Sequence, residues 1–540
     1  MTLPSTTPAE AAVHARRWLI LSVLCLSLLM VIIDNTIVNV ALPTLSTELD
    51  ASTTELQWIV DAYTLVFSAL LLAFGHFGDR FGRKLALQLG LVLFALTSAM
   101  AAMATTSGQL IGARALMGIG AAFVFPATLA ILVNVFTDRK ERAAAIGIWS
   151  ACTGVAVALG PVVGGYLLEH FAWGSIFLVN LPLAALAIIA GWFLVPTSRD
   201  PQTGSMDHLG LLLSATGVVL VVWAIIEAPH RGWADTVILV SGVFGILVLA
   251  AFVTWERRVR HPLLDVGLFR NARFTAASLS VAAAFFALFG FIFLITQYLQ
   301  MVQGYSPLEA GLRTLPFAIA TGATSPLAIV AMHRWGSKIV VAGGLAVMSL
   351  GFVLASRIEV DTPYTGLTLI SMVTIAIGLG LTTGPATESI MGALPEEKAG
   401  VGSAVNDTTR ELGGTLGVAV VGSVFASVYG AALVDALESR GLPDELLESA
   451  GGSMAAALSV AQSLPGDVGG AIVSSAQAAF IDGLSTGSLV AAGVAAAGAV
   501  IALRFLPARQ SLIRQVPVST ARGDEKASST AGRSSSAVKA

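Results

Sequence analysis

Length, composition and charge restrict this chain to a narrow class of proteins. It has 540 residues, of which 55% are hydrophobic and only 12% are charged, and its mean hydropathy is +0.82. Soluble domains carry about 25% charged residues, so a water-soluble fold is excluded and most of the surface faces lipid. The net charge of −3 is small, and no nucleic-acid partner is expected.

Apolar runs long enough to cross a bilayer recur along almost the whole chain. Runs of about 18 or more apolar residues are candidate transmembrane helices, and the alternating ten-residue segments of a membrane β-barrel are absent from the sequence. We therefore predict an all-α integral membrane protein with fourteen spans. The cores of the predicted spans are residues 17–41, 56–76, 85–105, 108–134, 143–168, 174–196, 208–228, 236–256, 273–301, 311–331, 339–356, 365–390, 401–430 and 483–506.

The distribution of positive charge orients the predicted spans. An even number of spans places both termini on one side of the membrane, and the loops and tails on that side contain most of the 30 Lys and Arg residues. The opposite loops contain only Arg231, Arg357 and Arg440. Because cytoplasmic loops are enriched in Lys and Arg, we predict that both termini are cytoplasmic and that the protein lies in the cell membrane.

Two related loops indicate an internal repeat. The sequence GHFGDRFGRK (Gly75 to Lys84) joins spans 2 and 3, and the weaker HRWGSK (His333 to Lys338) joins spans 10 and 11. This correspondence predicts six spans, two inserted spans and six further spans, an organisation common in transporters. The predicted regions are an N-terminal tail (1–16), a six-helix bundle (17–196), two inserted helices with linkers (197–272), a second six-helix bundle (273–506) and a disordered cytoplasmic tail (507–540).

The second bundle includes a long outer loop, residues 431–482. Gly and Pro interrupt short Ala/Leu/Ser stretches there, a pattern that predicts short amphipathic helices. Acidic residues outnumber Arg440, which is the single basic residue of the loop. An acidic surface can attract cations, but an ordinary solvated loop explains the same composition.

Asp34 is the first candidate functional residue, because it interrupts an otherwise uncharged apolar run from Trp18 to Leu42. A charge at mid-membrane costs about 2.5–3.5 kcal/mol on insertion scales, so an intramembrane acid is a functional hypothesis by default. Arg114 in span 4 is equally costly on a lipid-facing surface, and we expect it to face the bundle interior and pair with an acid. The alternative is a static ion pair that only orients two helices.

Span 13 contains three charged residues, Asp407, Arg410 and Glu411. Their i, i+3, i+4 spacing places them on one helical face, so that Arg410 can meet Asp407. The charges sum to −1, which leaves one acid for a proton or a cation, unless the segment is simply exposed to water at the cytoplasmic end. Glu388, which follows the helix-kinking Pro385 in span 12, has the same two interpretations.

Asp61 lies near the predicted outer end of span 2. It is either a water-exposed cap or a site for substrate or protons. Tyr63, two residues later, fits the aromatic belt at the membrane interface. Both interpretations of Asp61 agree with the sequence.

The loop between spans 2 and 3 combines glycine with charge. Gly75 and Gly82 permit a tight turn and close helix approach, and Asp79 lies near the start of the next helix, where a negative charge suits the helix dipole. Basic residues that can pair with this acid or with anionic lipid follow it: Arg80, Arg83 and Lys84. The simpler interpretation of the loop is a positively charged anchor.

Span 5 combines a proline with closely spaced small residues. These residues are Gly160, Pro161, Gly164 and Gly165. The spacing of Gly160 and Gly164 allows close helix packing. From physics alone, span 5 is either a helix that controls a conformational change or an ordinary packing helix.

These segments resemble, in chain order, the motifs of the major facilitator superfamily and of its fourteen-span drug:proton antiporter family. The loop is similar to the superfamily signature G-x-x-x-D-R-x-G-R-K. The other similar segments are DNTIVNVALP (Asp34 to Pro43), LQWIVDAYTL (Leu56 to Leu65), RALMGIGAA (Arg114 to Ala122), GPVVGG (Gly160 to Gly165) and NDTTRELGGTLG (Asn406 to Gly417). The chain departs from the family pattern at Met117, where Gln is usual, and at Ala156, where Gly is usual.

The resemblance implies a major facilitator fold in which spans 1 and 4 line a central cavity, so Asp34 is the expected partner of Arg114. It also implies export of amphipathic, cationic compounds in exchange for protons, with Asp34, Asp61 and the acids of span 13 handling protons and substrate. Asp79 and its basic neighbours are expected to hold the two halves together in one state, and span 5 is expected to govern the transport cycle.

The sequence contains no phosphate-binding loop, metal-ligand cluster or hydrolase motif. We therefore expect no enzymatic activity, no metal and no cofactor, with a proton gradient as the energy source. The expected partners are small amphipathic substrates, protons and membrane lipids, and the expected state is a monomer. The alternatives are a dedicated exporter of one metabolite, lipid or antibiotic, and a non-transporting membrane sensor or scaffold.

Overall fold

The computed structural model describes residues 13–200, 206–394, 399–438 and 443–507. Residues 1–12 of the predicted N-terminal tail, residues 508–540 of the predicted C-terminal tail and Arg440 lie outside the described residues.

Fourteen helices in this described part of the chain are long and apolar enough to cross a membrane. They are α1 (Arg17–Glu48), α2 (Thr53–Phe81), α3 (Arg83–Ala102), α4 (Ser107–Val135), α5 (Lys140–His170), α6 (Ser175–Leu194), α7 (His208–Arg231), α8 (Thr236–Glu256), α9 (Ala272–Val302), α10 (Pro307–Trp335), α11 (Ser337–Ala355), α12 (Tyr364–Met391), α13 (Val401–Glu438) and α14 (Gly466–Phe505). Each coincides with one predicted span, so the predicted all-α fold with fourteen spans is confirmed.

The region between α13 and α14 differs from the prediction. α13 continues to Glu438, and α14 begins at Gly466 rather than at residue 483. Two short helices, Asp444–Gly451 and Met454–Gln462, lie between them, as predicted. At 1.5 Å per residue, the 40 residues of α14 far exceed the bilayer core of about 30 Å, so the helix projects beyond it. Hydropathy marks only the lipid-buried part of such a helix.

The two faces of the molecule are defined by the helix ends. We call the face that holds Arg17 and Phe505 the terminal side, and the face that holds Glu48 and Thr53 the distal side. Both described chain ends lie on the terminal side because the number of spans is even. The assignment of the terminal side to the cytoplasm stays a prediction from charge.

The helices pack into two groups, which we call the N-bundle (α1–α6) and the C-bundle (α9–α14). In the N-bundle, α2 and α3 both pack on α4, and α5 packs on α1. In the C-bundle, α9 packs on α13 and α14, and α11 packs on α12. The bundles meet along two seams, one where α2 lies against α13 and one where α5 lies against the first turns of α10.

The inserted helix α7 covers the seam between α2 and α13. Trp58 Nε1 of α2 donates a hydrogen bond to Glu227 Oε1 of α7 at 3.1 Å, and Ser423 Oγ of α13 donates to the Ile225 carbonyl at 2.8 Å. Leu65 of α2 and Ala419 of α13 are buried together against the same helix. α7 therefore contacts both bundles, while α8 packs behind it.

Glycine sets the closest helix approach inside the N-bundle. A Cβ on Gly120 of α4 would lie 2.9 Å from the backbone nitrogen of Phe94, and a Cβ on Gly90 of α3 would lie 2.7 Å from Phe123 Cβ. Small residues let membrane helices approach until their backbones touch, which is the main source of packing energy where no hydrophobic drive exists between helices.

Gly120→Leu is expected to destabilise the N-bundle, because the added side chain forces α3 and α4 apart. Overpacking typically costs about 1–3 kcal/mol, which thermal unfolding of the purified protein in detergent would detect as a lower midpoint. Gly112→Leu is the matched control, since it lies on the same helix and its Cβ would meet nothing within 4 Å. Equal midpoints for the two variants would contradict this account of the crossing.

Candidate functional site

An ion pair between Asp34 of α1 and Arg114 of α4 lies at the centre of the N-bundle. Arg114 Nη1 donates to Asp34 Oδ2 at 2.5 Å, and both side chains are completely buried. Asn180 Nδ2 of α6 donates to Asp34 Oδ1 at 2.8 Å, and Arg114 Nε donates to the Ile59 carbonyl of α2 at 3.1 Å. The predicted pairing is confirmed, and it connects four helices of the bundle.

Tyr63 of α2 extends this ion pair toward the C-bundle. The guanidinium carbon of Arg114 lies 4.3 Å from the centre of the Tyr63 ring, within the range of a cation–π interaction. The Tyr63 hydroxyl donates to the Val31 carbonyl at 3.2 Å, and the side chain is close enough to Glu411 of α13 to interact with it electrostatically. The prediction that Tyr63 belongs to the interfacial belt is wrong, since the residue is completely buried.

Asp61 lies at the seam between the two bundles. It is completely buried, so the interpretation of a water-exposed cap is wrong. Thr64 Oγ1 donates to Asp61 Oδ1 at 3.5 Å, and Thr415 Oγ1 of α13 donates to Thr64 Oγ1 at 3.0 Å. Asp61 Oδ2 has no hydrogen-bond partner among the described residues. In the described part of the chain, this carboxyl group is therefore buried without a counterion in its immediate contacts.

The three charged residues of α13 lie on one face, as predicted. Arg410 Nη1 is 4.0 Å from Asp407 Oδ1, with 34% and 16% of the respective side chains exposed. The Arg410 guanidinium carbon lies 4.5 Å from the ring centre of Phe285 on α9. Glu411 Oε2 is buried and has no hydrogen-bond partner in the part of the chain that the structure describes. The side chains of these three residues are thus partly exposed, rather than fully exposed to water or fully buried.

Glu388 stands apart from the other acids. It is half-buried near the terminal end of α12, where it interacts electrostatically with Arg273 at the start of α9. The preceding residue connects α12 to α13, since Thr387 Oγ1 donates to Asn406 Oδ1 at 3.1 Å. Glu388 is therefore a neighbour of the α13 cluster rather than a member of it, and its predicted role stays a prediction.

The loop between α2 and α3 is bound to the segment that follows α6. Arg83 Nε donates to Asp79 Oδ1 at 2.8 Å. The backbone nitrogen of Arg83 donates to the Ser198 carbonyl at 3.0 Å, and that of Asp200 donates to the Asp79 carbonyl at 2.8 Å. These contacts all lie on the N-bundle side, and the predicted contact of Asp79 with the other half stays a prediction.

The remaining residues of this loop have local roles. Gly82 has a φ of +126°, a conformation that favours glycine, and a Cβ on Gly75 would touch Pro126 at 3.5 Å. Lys84 Nζ donates to the Trp192 carbonyl at 2.6 Å, and the Arg80 guanidinium carbon lies 5.4 Å from the Phe81 ring centre. The turn and the close helix approach that the glycines predict are both present.

The small residues of α5 contact both bundles. A Cβ on Gly164 would lie 3.3 Å from the Ile37 carbonyl of α1, and a Cβ on Gly160 would overlap the Thr36 side chain. On the other side, a Cβ on Gly165 would lie 2.5 Å from Leu308 Cα at the start of α10. α5 therefore packs closely against both α1 and α10.

Pro161 completes this second seam. Its carbonyl oxygen occupies the place that a Cβ on Gly311 of α10 would take. Farther toward the terminal side, a Cβ on Gly154 of α5 or on Gly322 of α10 would meet no described residue within 4 Å. The backbones of α5 and α10 thus touch near the distal side, with open space beside both helices beyond it.

Hydrogen bonds between the bundles reinforce the distal side. Gln57 Nε2 of α2 donates to the Val418 and Ala419 carbonyls of α13 at 3.2 Å each. Gln300 Nε2 of α9 donates to the Val40 carbonyl of α1 at 2.9 Å, and the backbone nitrogen of Leu308 donates to a carboxylate oxygen of Glu169 at 3.2 Å. The structure is therefore closed at the distal side.

Three residues of this site escaped the sequence analysis. Asn180, Gln57 and Phe285 each contact a residue that is far away in sequence. Asn180 and Gln57 are uncharged polar residues within or beside apolar runs, and this is the one sequence signal that marks them. No signal marks Phe285 among the 25 Phe residues of the chain.

Asp34→Asn is expected to destabilise the protein by about 3–5 kcal/mol, because it leaves Arg114 as an uncompensated buried charge. The double variant Asp34→Asn/Arg114→Gln removes both charges and is expected to recover most of that loss. Thermal unfolding of the purified variants measures both effects. A single variant as stable as the wild type would show that Arg114 does not depend on Asp34.

Comparisons with known proteins agree with this architecture. Residues 24–418 match the Major Facilitator Superfamily. The chain is 38% identical to the multidrug efflux pump LfrA of Mycolicibacterium smegmatis, an alignment that covers 92% of this chain and 98% of that protein. It is 36% identical to the methyl viologen resistance protein SmvA of Salmonella typhimurium, which covers 86% and 93% of the two chains.

A solved structure supports the fold. The bacterial homologue of the human lysosomal transporter Spinster, in an inward-facing and unoccupied conformation, superimposes with a TM-score of 0.63 over 92% of this chain and 99% of that one. At 19% identity the likeness concerns the fold alone. Sequence and structure together assign the chain: it is a multi-pass plasma-membrane protein that belongs to the major facilitator superfamily, in the group that contains these drug efflux and resistance proteins.

Proposed function

We propose that this protein is a proton-coupled efflux transporter that exports amphipathic, cationic compounds by alternating access. The observation that carries the proposal is the set of incompletely paired acids on the two sides of one bundle seam. Within the described residues, Asp61 of the N-bundle is buried with one oxygen that has no hydrogen-bond partner, and Glu411 of the C-bundle has one such oxygen as well. A buried carboxylate without a partner is costly, so these groups favour a proton or a cation.

The group near α13 has the chemistry of an organic-cation site. The Phe285 ring already accepts a guanidinium on its face, and aromatic faces attract cations more strongly when water is excluded. Two acids, Asp407 and Glu411, lie on the same helix face. Methyl viologen, which appears in the name of one relative, is an aromatic dication and would suit such a surface.

Carboxyl groups that bind both protons and substrate couple proton entry to substrate export in this proposal. If a proton and a cationic substrate compete for the same carboxyl groups, each lowers the affinity for the other, and this reciprocity is a thermodynamic necessity. A unit charge that crosses 100 mV provides about 2.3 kcal/mol, and a pH gradient adds to it. No chemical fuel is needed in this scheme, and proton entry drives substrate exit.

The closed distal side defines the conformational state. With the predicted orientation, the terminal side faces the cytoplasm and the structure represents the state that loads substrate from inside. Rocking of the bundles about a midplane site would break the contacts of Gln57, Gln300 and Leu308 and open the distal side. In that second state Asp79 and its basic neighbours would hold the terminal side closed.

The Asp34–Arg114 pair is proposed to respond to this motion rather than to bind substrate directly. It is completely buried in the N-bundle, while Tyr63 connects it to the seam where Asp61 lies. Water that enters when the distal side opens would give a proton access to Asp34 in competition with Arg114. The pair would then carry the proton inward on closure.

Reconstituted vesicles test the proposal most sharply. Purified protein in liposomes with an imposed pH gradient is expected to transport ethidium and methyl viologen, and a protonophore is expected to abolish that transport. Asp34→Asn and Asp61→Asn, compared with the wild type at equal amounts of folded protein, are expected to reduce the initial rate by at least about tenfold, because each removes a proton-accepting group. Asp435→Asn is the matched control, since that acid is exposed at the distal end of α13.

Transport that persists with the protonophore would refute proton coupling. Absence of transport for every compound in a broad panel would favour the non-transporting sensor or scaffold. A deletion strain that becomes sensitive to one compound only would favour a dedicated exporter, whereas sensitivity to many unrelated compounds is the expected result.

A further inference from the structure

We infer that Arg410 acts as a built-in cation that occupies the substrate position on the C-bundle and so favours substrates with one positive charge over substrates with two. This inference rests on the proposed function, and it assigns a specificity role to a residue of that site.

The position of Arg410 is the position that an organic cation would take. Its guanidinium carbon lies 4.5 Å from the ring centre of Phe285, within the range of about 6 Å for a cation–π contact. The Arg410 side chain is 34% exposed, so it is not enclosed by protein. An aromatic face in a partly open site is therefore occupied by the protein's own cation.

The acids hold Arg410 only loosely. The distance of 4.0 Å between Arg410 Nη1 and Asp407 Oδ1 is longer than the 2.7–2.9 Å of a charge-assisted hydrogen bond. Asp407 has a second partner that does not depend on Arg410, because Asn406 Nδ2 donates to the same oxygen, Asp407 Oδ1, at 3.3 Å. Arg410 can therefore leave the site at low cost while Asp407 stays in position.

The surroundings of Arg410 are rigid. A Cβ on Gly413 would lie 2.6 Å from the Ala282 carbonyl of α9, and a Cβ on Gly417 would overlap Phe286. The backbones of α9 and α13 are therefore in contact just beyond the charged residues. Phe285 and Asp407 keep their separation, and the long side chain of Arg410 is the part of the site that can move.

The net charge of the site predicts the effect of removing Arg410. With Arg410 in place, Asp407, Arg410 and Glu411 sum to −1, which matches a single positive charge. Without Arg410 the same site carries −2, and the part of the Phe285 ring that Arg410 covers becomes available, which matches a dication. Arg410 should therefore weaken the binding of dications relative to monocations.

Equilibrium binding to the purified protein in nanodiscs tests this role directly. The probes are ethidium, a monocation, and methyl viologen, a dication, measured by calorimetry at one ionic strength. For Arg410→Gln, the affinity for methyl viologen relative to ethidium is expected to rise about tenfold, equivalent to about 1.4 kcal/mol. Arg410→Lys retains the charge and should leave the ratio near the wild-type value.

Arg334→Gln is the matched control. The guanidinium carbon of Arg334 lies 5.9 Å from the Trp335 ring centre, but this residue is exposed at the terminal end of α10. Its removal should change neither affinity by more than about twofold, because exposed charges contribute little.

A second measurement covers the case in which Arg410→Gln does not fold. Arg410→Cys, in a background where Cys25 and Cys152 are replaced by Ala, can be modified with a quaternary-ammonium or a neutral thiosulfonate of similar size. The charged label is expected to restore the wild-type ratio, and the neutral label is not.

Failure of the proposed function and failure of the role of Arg410 give different results. If the wild-type protein bound neither cation, the proposed function itself would be refuted. Wild-type protein that binds both cations, with a ratio that neither Arg410→Gln nor the charge of the label alters, would overturn the role of Arg410 and leave the proposed function intact.

Discussion

Charge inside a low-dielectric membrane protein must be neutralised, and the arrangement of this molecule follows from that constraint. Arg114 and Asp34 neutralise each other's charge, and Asn180 and the Ile59 carbonyl supply further hydrogen bonds. Arg114 Nη2 is left without a hydrogen-bond partner among the described residues. This pair connects four helices of the N-bundle. The acids at the seam, Asp61 and Glu411, each keep one carboxyl oxygen without a hydrogen-bond partner in the described part of the chain. In the proposed scheme these oxygens take the proton or the cation, while the Asp34–Arg114 pair responds to the motion of the bundles.

The two bundles are joined in a way that suits reversible separation. Their contacts include glycines that allow backbones to touch and a few side-chain hydrogen bonds, such as those of Gln57 to the Val418 and Ala419 carbonyls. Such contacts are lost together when one bundle tilts, and water can replace them. The inserted helix α7 lies across one of the two seams, which makes the two sides of the molecule unequal.

Much of the fold was predictable because the bilayer leaves few options. Backbone polar groups must be satisfied within each span, so length and hydropathy suffice for the number and type of elements. The cost of an unpaired intramembrane charge likewise predicts that Arg114 faces inward and pairs with an acid, although the choice of Asp34 came from the family resemblance.

The residues that meet at the seam between α2 and α13 were not predictable in the same way. Asp61 is connected through Thr64 to α13, which lies more than 300 residues away in the sequence. Tyr63 is buried against α1 and α4, and the ring beneath Arg410 is one Phe among many. The start of α14 was misplaced because its first turns are helical without being apolar. Each of these features is decided by tertiary packing, about which local patterns carry little information.

The central claim is that buried acids exchange a proton for a cationic substrate, and proton release on binding measures it most directly. Purified protein in a weakly buffered solution with a pH indicator would receive saturating ethidium. We expect release of protons in proportion to the substrate bound, with the release reduced when Asp61 and Glu411 are both replaced by their amides. Stoichiometric ethidium binding with no proton release at any pH between about 5 and 8 would contradict the account.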